Sequence, residues 1–164
     1  MNSSGWHKFR KQQAAERELL TRLLATVQPL LTKCRSTAPT DIELSALAAV
    51  LHSFYTGVEN IFKRVAVELD GQPPQGEAWH RDLLLRMKAA GTNRPALLSS
   101  ELHDTLLDYL RFRHVFRNAY SFDLQWEKMS SLVLDANSTL ARVEAALDAF
   151  LQRAAAGDSE AESP

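Results

Sequence analysis

The sequence predicts an all-α chain, an up-down bundle of four long helices and one short helix. Three observations predict it. Apolar residues recur at helical spacing through five separate stretches. The 6 Gly and 6 Pro residues gather in short segments, so the stretches between them lack helix breakers. No run alternates apolar and polar residues as a half-buried strand does, and no repeat of roughly 20–50 residues is visible.

The first helix is expected from about Trp6 or Lys11 to about Arg35, on Leu19, Leu20, Leu23, Leu24, Val27, Leu30 and Leu31. Pro29 lies inside that pattern and is expected to kink it or mark a boundary. After the break Ser36-Thr37-Ala38-Pro39, Thr40 reads as an N-cap, and Thr40 to Glu43 has the spacing of a capping box. The second helix carries Leu44, Leu47, Leu51, Phe54, Tyr55, Val58, Ile61, Phe62, Val65 and Leu69. A stripe that wide places the helix at the centre of a bundle. Asp70-Gly71 ends it, and Gln72 to Gly76 form a loop.

A short third helix is expected over about Trp79 to Ala89, followed by the breaker Gly91 to Pro95. Ser99 or Ser100 caps the fourth, which runs through Leu102, Leu106, Leu110 and Val115 towards Tyr120. A break at Ser121-Phe122-Asp123 leads to one last helix from about Leu124 to Ala155. Residues 1–156 thus form a single domain. Residues 157–164 are small and acidic and are expected to be a disordered tail.

The chain has 164 residues, 45% of them hydrophobic, which is enough for one core and too little for two typical ones. A net charge of −1 gives no overall field towards nucleic acid or an anionic membrane, so any RNA site has to be a local patch. Cys34 is the one cysteine, which excludes an internal disulfide or a thiolate metal site. The polar stretch Met1 to Arg10 has no apolar core, and no apolar run approaches the ~18 residues of a membrane span. A cytoplasmic location is therefore expected.

Chemistry concentrates in Tyr109 to Tyr120, where twelve residues hold Arg111, Arg113, Arg117, His114 and four aromatics. At roughly 100° per residue, Tyr109, Arg113, Arg117 and Tyr120 share one helix face, and Arg111, His114 and Asn118 share the next. Guanidinium groups bind phosphate bidentately, and neighbouring aromatics stack bases. The structural alternative pairs these arginines with Asp104, Asp108, Asp123 and Glu127 and sends the aromatics to the core. Phe112 and Phe116, one turn apart, read as core in either case.

The segment resembles the signature of HepT-like ribonuclease toxins of the HEPN superfamily: Arg, four to six residues, His, one residue, Tyr, near a helix end. Arg113 fits the arginine and Tyr120 the tyrosine; the histidine position is Asn118. The resemblance is clearest over residues 18–129. It includes Phe54 to Phe62, Trp79-His80, and Tyr109 to Tyr120 followed by Trp126.

The resemblance implies a HEPN-like bundle and metal-independent RNA cleavage, with neither metal nor cofactor. Arg113 holds the scissile phosphate, Arg111 and Arg117 add phosphate contacts, and the motif histidine moves protons as the 2′-hydroxyl attacks. It also implies a homodimer and a nucleotidyltransferase antitoxin that transfers AMP to the motif tyrosine, here Tyr120. An amide at Asn118 hydrogen-bonds but does not shuttle protons. Three outcomes follow: an inactive relative kept as a dimerisation or protein-interaction module, a weak nuclease, or an imidazole supplied by His114.

Other candidates carry less. Glu77-Ala78-Trp79-His80 has the Glu-x-x-His spacing of di-metal bundles, but no second copy exists. His52 and His103 read as structural. Lys63, Arg64, Arg81, Arg86 and Lys88 read as solvated faces. Trp79 and Trp126 are expected at bundle ends or in a dimer contact.

Overall fold

The computed structural model describes residues 3–91, 94–117 and 123–161. Among them the architecture is all-helical, apart from one isolated backbone bridge between Gly91 and Arg94. The six helices of the described residues are α1 (Ser3–Lys33), α2 (Asp41–Glu68), α3 (Trp79–Lys88), α4 (Ser100–Phe116), α5 (Trp126–Leu134) and α6 (Ala136–Ala161).

The capping box forms as its spacing predicts. Thr40 accepts from the Glu43 backbone N–H at 3.3 Å, and the Glu43 carboxylate accepts from the Thr40 N–H at 2.8 Å. Ser99 caps α4 through the Leu102 N–H. α2 is the central element, packed on α1, α3, α4 and α5, as its wide apolar stripe requires. Where α1 crosses it, Gly57 lies under Leu20; a Cβ there would sit 2.6 Å from Leu20 Cδ2.

Pro29 lies inside the first helix, which continues to Lys33, so of the two outcomes expected there it marks no boundary. One expectation is corrected. The helix expected over 124–155 is two, α5 and α6, separated at Asp135. Tertiary packing accounts for that break: the buried Tyr109 hydroxyl donates to the Leu132 carbonyl at 2.8 Å and shares a hydrogen bond with the Thr139 hydroxyl at 3.3 Å, on either side of the junction. The bundle therefore has two short helices, α3 and α5, beside the long α1, α2, α4 and α6. The last helix, α6, extends to Ala161.

Arg94 clamps the ends of α2 and α3 to the start of the α4 approach. Its guanidinium makes two bonds to Asp70, at 2.6 and 2.9 Å, and reaches the carbonyls of Arg86, Ala89 and Pro95. This fixes the relative placement of α2, α3 and α4, the three helices that build the site below.

Candidate functional site

Charged residues are almost never fully buried unless paired, yet Glu59 on α2 is wholly buried. It stands on the helix face that also carries Tyr55 and Phe62, both core residues. Its carboxylate meets nitrogens from three places. Oε1 is in short hydrogen-bond contact with His80 Nδ1 in the first turn of α3. Oε2 lies 3.4 Å from Lys63 Nζ, one turn on in α2, and 3.8 Å from Arg113 Nη2 near the end of α4. Desolvating a carboxylate is costly, and such a charge persists when cations converge on it.

Arg113 and His80 are nearly as enclosed, at 9% and 8% exposure. Arg113 Nη1 is 3.3 Å from His80 Nδ1 and 3.4 Å from Nε2, almost equidistant from both ring nitrogens. The guanidinium thus lies along the imidazole and does not cap one lone pair. Arg113 Nε is buried without a hydrogen-bond partner among the described residues, and so is Glu59 Oε2. Trp79 stacks on His80 with ring centroids 3.6 Å apart, and Lys63 Nζ sits 4.6 Å from the centre of the Trp79 ring.

Two more imidazoles border the cluster. The His114 ring meets His80 edge-on at 5.6 Å, and His52 on α2 tilts against Phe116 at 5.6 Å. Burial lowers the His114 pKa, and His80, Arg113 and Arg117 lower it further against the opposing pull of Glu59. Burial also lowers that of His52, with Arg113 and Arg117 acting the same way. Both rings are therefore neutral at neutral pH. Tyr55 is pushed the other way, its phenol held protonated by burial and by Glu59.

The sequence-predicted residues separate in space. Among the described ones, Arg113 is drawn into the buried cluster. His114 is on its exposed border. Arg111 is exposed and pairs with Asp108 at 3.0 Å, the ion pair that the structural alternative expects. Arg117 is exposed at the C-cap of α4. Tyr109 is core, and Phe112 and Phe116 stack at 6.0 Å and pack against the core. Asn118 and Tyr120 lie outside the described residues. Trp79 and Trp126 are half-buried against the core.

Sequence reasoning missed Glu59, His80 and Lys63 as members of the site. Glu77 is exposed, so the Glu-x-x-His pair does not form, and His80 turns to Glu59. One signal was present: Glu59 interrupts the apolar stripe of α2 on its inward face. Among the described residues no group of three or more His, Cys, Asp or Glu side chains is placed to hold a metal ion, and no helix is long and apolar enough to cross a membrane.

Chemically, the cluster presents two cations, Arg113 and Lys63, against one carboxylate, with an imidazole between them. The excess positive charge and the unpaired Arg113 N–H suit an anion such as a phosphodiester. Residues 46–154, which span α2 from its second turn to α6, match a family model described as HepT-like protein. No curated protein and no solved structure matches the chain.

Proposed function

The chain belongs to the HepT-like family, and on that premise we propose that it is an RNA-cleaving toxin domain of the HEPN type that works without a metal ion. The observation that carries the reading is Arg113. The arginine that fits the family's motif is also the one whose guanidinium is built into the cluster, positioned by Glu59 and His80 and left with an unpaired Nε–H. A preorganised cation of this kind stabilises the charge that develops on a phosphoryl group during in-line displacement. Arg117 at the end of α4 and Lys63 beside Trp79 extend the positive surface along which an RNA backbone runs. Trp79 offers a face on which a base stacks.

The proposal extends to partners. A second copy of the chain completes the site in a homodimer, and a nucleotidyltransferase antitoxin silences it by transferring AMP to Tyr120, adding anionic phosphate to the motif that holds Arg113 and Arg117. One feature favours a second reading, a non-enzymatic interaction module. Val115 is 64% exposed on the other side of α4, beside a groove lined by Phe112, Leu124 and Leu132, and an exposed apolar patch of this kind marks a protein contact.

Single-stranded RNA incubated with purified wild-type protein and with Arg113→Ala separates the two readings. Cleavage by the wild type that falls by about 10²-fold or more in the variant supports the ribonuclease. Equal background cleavage by both sinks it and leaves the interaction module.

A further inference from the structure

We propose that His80 on α3, a residue outside the α4 motif, is the imidazole that moves the proton during RNA cleavage, with Glu59 as its positioning residue. This inference rests on the ribonuclease reading above and assigns the role left open by Asn118.

The geometry is that of a carboxylate–imidazole pair. A histidine acts as a proton carrier when one ring nitrogen is fixed by an acceptor and the other is left to the substrate. Glu59 accepts from Nδ1, which sets the tautomer and leaves Nε2 as the exchanging nitrogen. Trp79, stacked at 3.6 Å, fixes the ring plane. Arg113 lies along the ring at 3.3 and 3.4 Å from its two nitrogens. A phosphate seated on that guanidinium therefore places its ester oxygens within reach of the imidazole. Both residues keep a small exposure, 8% for His80 and 9% for Arg113. His114 stands 5.6 Å away, edge-on, on the exposed border of the cluster. His80 is the imidazole whose orientation a wholly buried carboxylate sets.

The step balances without a co-reactant. Nε2 takes the proton of the 2′-hydroxyl as its oxygen forms a bond to phosphorus. The bond from phosphorus to the 5′ oxygen breaks with its electron pair on that oxygen, which takes a proton from solvent. The imidazolium then returns its proton to solvent. The products are a 2′,3′-cyclic phosphate and a 5′-hydroxyl end.

The test measures single-stranded RNA cleavage by wild type, Arg113→Ala, His80→Gln, His114→Gln, Asn118→His and the double variant His80→Gln/Asn118→His. Binding of a 2′-deoxy analogue and thermal melts are followed in parallel. The expected result is a loss of kcat of about 10²–10⁴-fold in His80→Gln, with analogue binding within about threefold of wild type. His114→Gln stays within about tenfold of wild type. Asn118→His alone gains less than about tenfold, because the proton already has a carrier. In the His80→Gln background the same change restores at least about tenfold, which a purely structural role for His80 would not allow.

The proposal is overturned, with the ribonuclease reading intact, if wild type cleaves well above Arg113→Ala while His80→Gln retains wild-type kcat. It is equally overturned if His114→Gln is the variant that loses activity. If His80→Gln fails to fold, the Asn118→His variant decides: a gain of about 10²-fold or more means that proton transfer was unserved in the wild type. Identical background cleavage by wild type and Arg113→Ala removes both readings together.

Discussion

Replacing Glu59 by Gln keeps the side-chain volume and removes the carboxylate at the centre of the cluster. At 3.8 Å from Arg113, two unit charges attract by about 4 kcal/mol at an effective dielectric constant near 20. Lys63 is closer at 3.4 Å, but its side chain is 36% exposed, so solvent screens it and it contributes less than about 1 kcal/mol. Removing one partner of a buried pair strands the other, which typically costs about 3–5 kcal/mol. Glu59→Gln and Arg113→Met are each expected to lose that amount, or roughly 6–20 °C in Tm for a chain of this size. The double variant strands neither charge, and its loss should fall short of the sum by about 2–3 kcal/mol. Urea unfolding followed by far-UV circular dichroism on all four proteins measures the cycle. Losses below about 1 kcal/mol in both single variants, or strict additivity, would refute the idea that the two charges hold each other.

Further predictions concern the frame and its protons. Gly57→Ala brings a methyl to 2.6 Å from the buried Leu20; about 1–3 kcal/mol of overpacking outweighs the ~1 kcal/mol gain in helix propensity. A more stable Gly57→Ala in thermal melts would show that Leu20 simply moves aside. Arg94→Met strands Asp70 and the carbonyls of Arg86, Ala89 and Pro95, and a loss of about 3–5 kcal/mol is expected in urea titration. For pH, the His52 and His114 pKa values are lowered in the folded state. As pH falls, the unfolded chain protonates first, near 6.5. Stability therefore falls as pH drops below about 6.5 and rises with pH across the window down to the folded values. The variant His52→Gln/His114→Gln should flatten Tm against pH just below about 6.5; an unchanged slope would mean that other groups govern it.

Much of the fold was legible because helices are local. The capping box at Thr40, the Ser99 cap and the central rank of the second helix follow from residues close in sequence, whose spacing is fixed by about 3.6 residues per turn. What was not legible depended on distant contacts. The junction at Asp135 has no breaker in its sequence, but Tyr109, far earlier in the chain, reaches the Leu132 carbonyl and Thr139 across it. Pro29 shows the converse: a residue that locally signals a boundary remains inside a helix that reaches Lys33.

The same division holds for the site. The sequence alone pointed to the family and to Arg113, because a motif on one helix face is a statement about neighbours along the chain. It also exposed Asn118 at the position where the motif places histidine. Only the tertiary structure decided what surrounds Arg113. Glu59, His80 and Lys63 come from α2 and α3, and the bundle brings them to one carboxylate. It also divided the arginines that the sequence had grouped, with Arg113 buried and Arg111 turned to Asp108 on the surface. The physical reason is that pairing in a low-dielectric core acts on distance in space and is blind to separation along the chain.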